Sequence, residues 1–138
     1  MNDQLYSKQL LRLAAAAVGA GHLEPCDASG SAHNPICGDR VSVTLNLNKD
    51  RISEMAHHTQ ACVLTQASAS ILGAHLTGKD INAVETLRRQ VVGMLENGDA
   101  PPAPFSDFLA LQGVATHRNR HRCVLLPLDA VLNALEKS

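Results

Sequence analysis

Along Val41-Ser42-Val43-Thr44-Leu45-Asn46-Leu47, apolar and polar residues alternate strictly, the period-2 signature of a strand with one covered face. Asn48-Lys49-Asp50 reads as the turn that follows. Arg51 to Ala56, with Ile52 and Met55 as its apolar members, reads as a weaker second strand, and His57 to Cys62 as a short third one. After Cys62 the period becomes helical: Leu64, Ala67, Ser68, Ile71 and His75 fall on one stripe, and Gly78 closes the element. Ala67-Ser68-Ala69-Ser70 is all small, so another element packs closely there. Asp80 is placed to cap a further helix, in which Val84, Leu87, Val91, Met94 and Leu95 repeat at helical spacing.

Upstream, Leu10, Leu13, Ala14, Ala17 and Val18 share one helical face, which predicts a first helix over residues 4–18 ended by Gly19 and Gly21. Residues 19–36, rich in Gly, Pro, Ser and Asn, read as loop. Downstream, residues 97–104 carry three prolines and cannot be helical. Ser106 is placed to cap a short helix bearing Phe108, Leu109 and Leu111. The last helix is expected to open at Cys123, with Leu128, Val131, Leu132 and Leu135 on one face; Pro127 is then expected near its first turn, where a missing amide costs little. Helix, sheet, then helices predicts an α+β fold: a small antiparallel three-stranded sheet, an N-terminal helix and several helices packed on one face, with residues 1–138 forming one domain.

Composition narrows the chemistry. Hydrophobic residues make up 45% and aromatics 2%, so the core must be built from Leu, Val, Ile and Ala. A net charge of -1 argues against bulk binding to nucleic acid or to an anionic membrane. Lys8 to Ala20 is the one stretch resembling a secretory signal, but Arg12 interrupts it, Asp3 precedes it and its apolar part is short. No stretch is long enough to span a membrane. The expectation is a cytoplasmic chain with reduced thiols, which sets two disulfides aside and leaves a metal site open.

The chemistry-bearing stretch is Asn34-Pro35-Ile36-Cys37-Gly38-Asp39. In an extended segment residues i and i+2 point the same way, so Cys37 and Asp39 can face one point. Cys62 and Cys123 each precede a helical pattern, and a helix N-terminus carries partial positive charge that suits an anionic sulfur. Three thiols and one carboxylate make a four-ligand set for zinc, iron or an iron–sulfur cluster. Asp39 would be the weaker, labile arm. Widely spaced cysteines equally serve as small buried apolar residues, so spacing alone leaves both readings open. Cys26, beside Pro25 and Asp27, reads as an incidental surface thiol. His121 is either a further ligand or proton acceptor, or a solvated residue of the basic run His117, Arg118, Arg120, His121, Arg122. That run either docks an acidic partner or is a solvated approach to the last helix. No CxxC, GxGxxG, Walker A or HExxH pattern occurs.

These stretches resemble the iron–sulfur cluster scaffold family of the IscU, SufU and NifU N-terminal type. Asn34 to Asp39 is similar to its Asn-Pro-x-Cys-Gly-Asp, Cys62 to Ser70 to its cysteine followed by an Ala-Ser-rich helix, and Arg120, Cys123 and Leu126 to its Arg-x-x-Cys-x-x-Leu. Leu5-Tyr6-Ser7 before an apolar helix is also similar, and the Pro-rich stretch after the Ala-Ser helix resembles the SufU branch. Two positions depart: Thr59-Gln60-Ala61 stands where the family shows Gly-x-Gly, and Arg122 where the short branch has a histidine. The resemblance implies Cys37, Asp39, Cys62 and Cys123 as ligands to zinc, iron or a transient [2Fe-2S] cluster. It implies sulfur received from a cysteine desulfurase on Cys62 and delivery to recipient apo iron–sulfur proteins. A scaffold or sulfur carrier is therefore expected rather than a turnover enzyme. The alternatives are a zinc-dependent sulfurtransferase using the same residues, and a structural zinc or metal-free domain.

Overall fold

The computed structural model describes residues 7–36 and 38–137. Ser7 starts the first helix, α1 (Lys8–Ala16), by accepting the Leu10 amide on its hydroxyl at 3.1 Å. The helix ends earlier than its apolar face suggests, because Ala17 turns left-handed (φ 45°) and Val18 is taken up by other partners. The Val18 N–H donates to Ser70 Oγ at 3.0 Å, and its carbonyl lies 2.9 Å from His57 Nε2. A Cβ on Gly73 would sit 2.0 Å from that carbonyl, so only glycine admits the chain so close to the neighbouring helix. Residues 4–6 of the expected helix lie outside the described residues.

The sheet has the order β1 (Ala28–Asn34), β2 (Asp39–Asn48), β3 (Arg51–Gln60), all antiparallel. Three strands were expected; β2 is the expected first one, and the other two divide the chain differently. β1 falls in the stretch read as loop. It pairs from Ala28↔Leu45 to Asn34↔Asp39 although it holds no large apolar residue. The reason is the final helix, α4 (His121–Lys137), which lies against it: a Cβ on Gly30 would come within 2.4 Å of the Ala134 nitrogen. Ala28, Gly30 and Ala32 are the covered half of an alternation whose members must all be small. The residues expected to form two strands after the turn form one, since Ala56, His57 and His58 pair without interruption with Thr44, Val43 and Ser42. The predicted turn is present, with Lys49 (φ 53°) and Asp50 (φ 67°) both left-handed, as a two-residue hairpin loop demands.

Helices α2 (Val63–His75) and α3 (Ile81–Asn97) follow as the periodicity predicts, and Asp80 caps α3 by accepting the Ala83 amide at 2.9 Å. The small stripe Ala67–Ser70 is buried, and α2 packs against both α1 and α4. Residues 98–104 are non-helical. Ser106 is not a cap: a 3-10 run, Phe105–Thr116, begins after Pro104 and encloses it. Phe105, Phe108, Leu111 and Val114 are its buried residues, spaced by the three residues per turn of that helix type. α4 starts at His121, so Pro127 sits in its interior, past the first turn. No helix among the described residues is long and apolar enough to cross a membrane.

Candidate metal centre

Three corners of the fold meet at one place: the end of the β1–β2 hairpin, the junction of β3 with α2, and the first turn of α4. The hairpin is closed by the Asn34↔Asp39 pair. Asn34 Oδ1 accepts the Ile36 amide at 3.1 Å, and its carbonyl accepts the Gly38 amide at 2.8 Å. Gly38 has φ +73°, a conformation suited to glycine. Cys37, one of the expected ligands, lies outside the described residues, as does the Leu5-Tyr6 start.

The other three expected ligands converge. One donor atom each of Asp39, Cys62 and Cys123 lies within 4.8 Å of the others. Bonds of about 2.0–2.3 Å at tetrahedral angles place donor pairs about 3.3–3.8 Å apart, so closing this set on zinc or iron takes small side-chain movements only. The donor chemistry fits: two thiols and a carboxylate match a borderline metal with one weaker arm. Asp39 is 6% exposed. Its Oδ1 accepts the Cys62 amide at 3.3 Å, which ties β2 to the start of α2.

The two cysteines differ. Cys62 is the N-cap of α2 with its side chain free of any capping bond, and it is half-buried. Cys123 is 4% exposed in the first turn of α4. Burial, and secondarily the neighbouring Cys62 and Asp39, push its thiol up from the ordinary range. The helix start expected to favour an anionic sulfur is therefore outweighed at Cys123 by desolvation, and a cation is what would remove that proton. A cavity of about 430 Å³ opens onto the donors, and Arg118, Arg120 and Arg122 contribute to its wall. The basic run thus frames the site.

His121 does not join it. Its Nε2 is 3.0 Å from the Ala115 carbonyl, to which it donates. Cys26 is a free, half-buried thiol apart from the donor cluster. The absent glycines before Cys62 do not disturb the backbone, because none of Thr59, Gln60 and Ala61 has a left-handed φ. Gln66 Nε2 instead donates to the Ala61 carbonyl at 2.9 Å and fixes the approach to Cys62. Sequence reasoning missed Thr65, whose hydroxyl lies among the donors; its position three residues after the N-cap cysteine was the available signal.

Fold and donor set together define a small α+β scaffold with a candidate thiol–carboxylate metal centre. Over residues 5–122 the sequence matches the NifU-like N terminal domain family, and the chain belongs to it, within the iron–sulfur cluster scaffold proteins. It is 28% identical over 106 residues to the zinc-dependent sulfurtransferase SufU of Bacillus subtilis (strain 168), covering 76% of this chain and 72% of that protein. It is 27% identical over 107 residues to the iron–sulfur cluster assembly scaffold protein IscU of Streptococcus pyogenes serotype M1, covering 77% and 67%. The crystal structure of the N-terminal part of a NifU-like protein from Brucella abortus superposes with a TM-score of 0.92 at 29% identity, covering 98% of this chain and 94% of that one.

Proposed function

We propose that this protein is an iron–sulfur cluster assembly factor, with residues 1–138 acting as one unit. Its centre of Cys37, Asp39, Cys62 and Cys123 holds zinc, iron or a nascent [2Fe-2S] cluster. It receives sulfur from a cysteine desulfurase and passes it toward apo iron–sulfur proteins. The observation that carries this reading is the convergence of Asp39, Cys62 and Cys123 at the floor of an arginine-framed cavity, with one thiol buried and one reachable. A bound metal would keep the ligand thiols deprotonated and hold them together.

Cys62 is the sulfur acceptor in this reading: of the two described donor thiols, it is the one a partner can reach. Its Sγ attacks the terminal sulfur of the donor's cysteine persulfide. The donor's S–S bond breaks, a new S–S bond forms on Cys62, and the donor cysteine leaves as a thiolate. No electrons are gained or lost overall. The positive wall of Arg118, Arg120 and Arg122 suits an incoming anionic persulfide. A zinc-dependent sulfurtransferase on the same residues is the second reading, favoured by the similarity to the Bacillus subtilis protein.

The test is sulfur transfer from a desulfurase loaded with cysteine, followed by mass spectrometry of this chain. The reading expects added sulfur on Cys62 and none on Cys62→Ser, with thermal unfolding of that variant close to wild type. Sulfur carried undiminished by Cys62→Ser would refute the assignment.

A further inference from the structure

Thr65 is completely buried, at 0% exposure, three residues into α2 from Cys62. Its hydroxyl oxygen lies 2.9 Å from the Cys123 carbonyl, 3.3 Å from Asp39 Oδ2 and 3.6 Å from Cys62 Sγ. One atom thus touches all three converging residues: two through their side chains, the third through its backbone. A hydroxyl has a single hydrogen and two lone pairs. The shortest contact takes the hydrogen, so Thr65 donates to the Cys123 carbonyl.

That carbonyl is available for a particular reason. Inside an α-helix it would accept the amide of residue 127, four positions on. Residue 127 is proline and has no amide hydrogen. Next to it, Ser68 Oγ donates to the Val124 carbonyl at 2.7 Å. Two hydroxyls spaced by one turn on α2 therefore hold two successive carbonyls at the start of α4, the second of them buried beside the first.

We infer that Thr65 is a positioning residue of the metal centre: with Pro127 withholding the competing amide, its hydroxyl fixes the backbone of Cys123 against α2 and so sets the spacing of Cys123 from Cys62 and Asp39 before any metal arrives. The inference rests on the ligand assignment proposed above. Valine has the shape of threonine without the hydroxyl, and it would leave the Cys123 carbonyl buried without a partner. Serine keeps the hydroxyl.

The experiment is titration of the full, reduced chain with cobalt(II), read by thiolate charge-transfer and d–d absorption. Wild type is compared with Thr65→Val, Thr65→Ser, Pro127→Ala and the Thr65→Val/Pro127→Ala pair. Thr65→Val should bind cobalt about tenfold more weakly or worse, the scale on which outer supports of ligands act, with an altered d–d envelope. Thr65→Ser should match wild type in both. In the Pro127→Ala background the restored amide satisfies the carbonyl, so adding Thr65→Val should cost much less, a coupling that a double-mutant cycle measures. If Thr65→Val alone does not fold, the pair in the Pro127→Ala background decides. Near-equal cobalt affinity there supports the inference, and a loss of tenfold or more overturns it. A Thr65→Val protein that binds and absorbs as wild type, or a Thr65→Ser protein as impaired as Thr65→Val, also overturns it. A wild type that takes up no cobalt at all refutes instead the ligand assignment beneath it.

Discussion

Replacing Gly30 by alanine should damage both the fold and the metal centre, through one displacement. A Cβ at this position would lie 2.4 Å from the Ala134 nitrogen and 2.8 Å from the Ala130 carbonyl oxygen. Both belong to the backbone of α4, so no side chain can swing aside. Moving from 2.4 Å to an ordinary 3.4 Å contact requires α4 to retreat from β1 by about 1 Å. Overpacking of this kind costs about 1–3 kcal/mol, and a rigid helix backbone as the obstacle places the cost at about 3 kcal/mol. For a chain of this length that corresponds to a fall in Tm of about 10 °C. Because α4 also carries Cys123, zinc affinity should weaken by about tenfold as the helix moves. Gly93 supplies the control. It lies within α3, and a Cβ there meets nothing within 4 Å, so Gly93→Ala should raise stability by about 0.5–1 kcal/mol. Urea unfolding of chelator-treated protein, followed by zinc titration, measures both effects. A Gly30→Ala protein as stable as wild type, or a Gly93→Ala protein destabilised as much, would refute the close packing of α4 on β1.

Three further outcomes follow from buried groups and caps. His57 is held neutral: burial lowers its pKa, with Nε2–H donating to the Val18 carbonyl and Nδ1 accepting from the Thr59 hydroxyl. The stability this depressed pKa contributes is present above the ordinary histidine value of about 6.5 and is lost as pH falls below it; thermal melts from pH 7 to 5 should fall more steeply for wild type than for His57→Gln. Cys123 shifts the other way, so metal-free protein should lose stability as pH rises past the ordinary thiol value of about 8.5, while Cys123→Ser should not show that slope in the same melts. Removing the cap of α3 with Asp80→Ala should cost about 1 kcal/mol by urea unfolding and leave zinc affinity unchanged.

Where side-chain size and period agree, the elements were legible: β2 from its alternation, α2 and α3 from their stripes, Asp80 from its place before one of them. β1 was not, because the closeness of α4 removes the large apolar residues by which strands are recognised and leaves Ala28, Gly30 and Ala32 in a stretch that looks like loop. The Phe105–Thr116 run had a signal, apolar residues three apart, that a search for α-helical spacing passes over. At the site, Asp39, Cys62 and Cys123 announce themselves by their chemistry. Thr65 does not, since a hydroxyl on a helix is ordinary until Pro127, on another helix, leaves a carbonyl for it to bind.

The central claim is that these residues hold a metal. Its most direct test is zinc, iron and acid-labile sulfide per chain, together with the visible spectrum, on protein purified anaerobically under reducing conditions. The account predicts stoichiometric zinc or iron in wild type, with sulfide and a cluster spectrum where a [2Fe-2S] cargo is carried, and loss of the metal in Cys123→Ser. Metal-free wild type, or a Cys123→Ser protein that keeps its full complement, would contradict it.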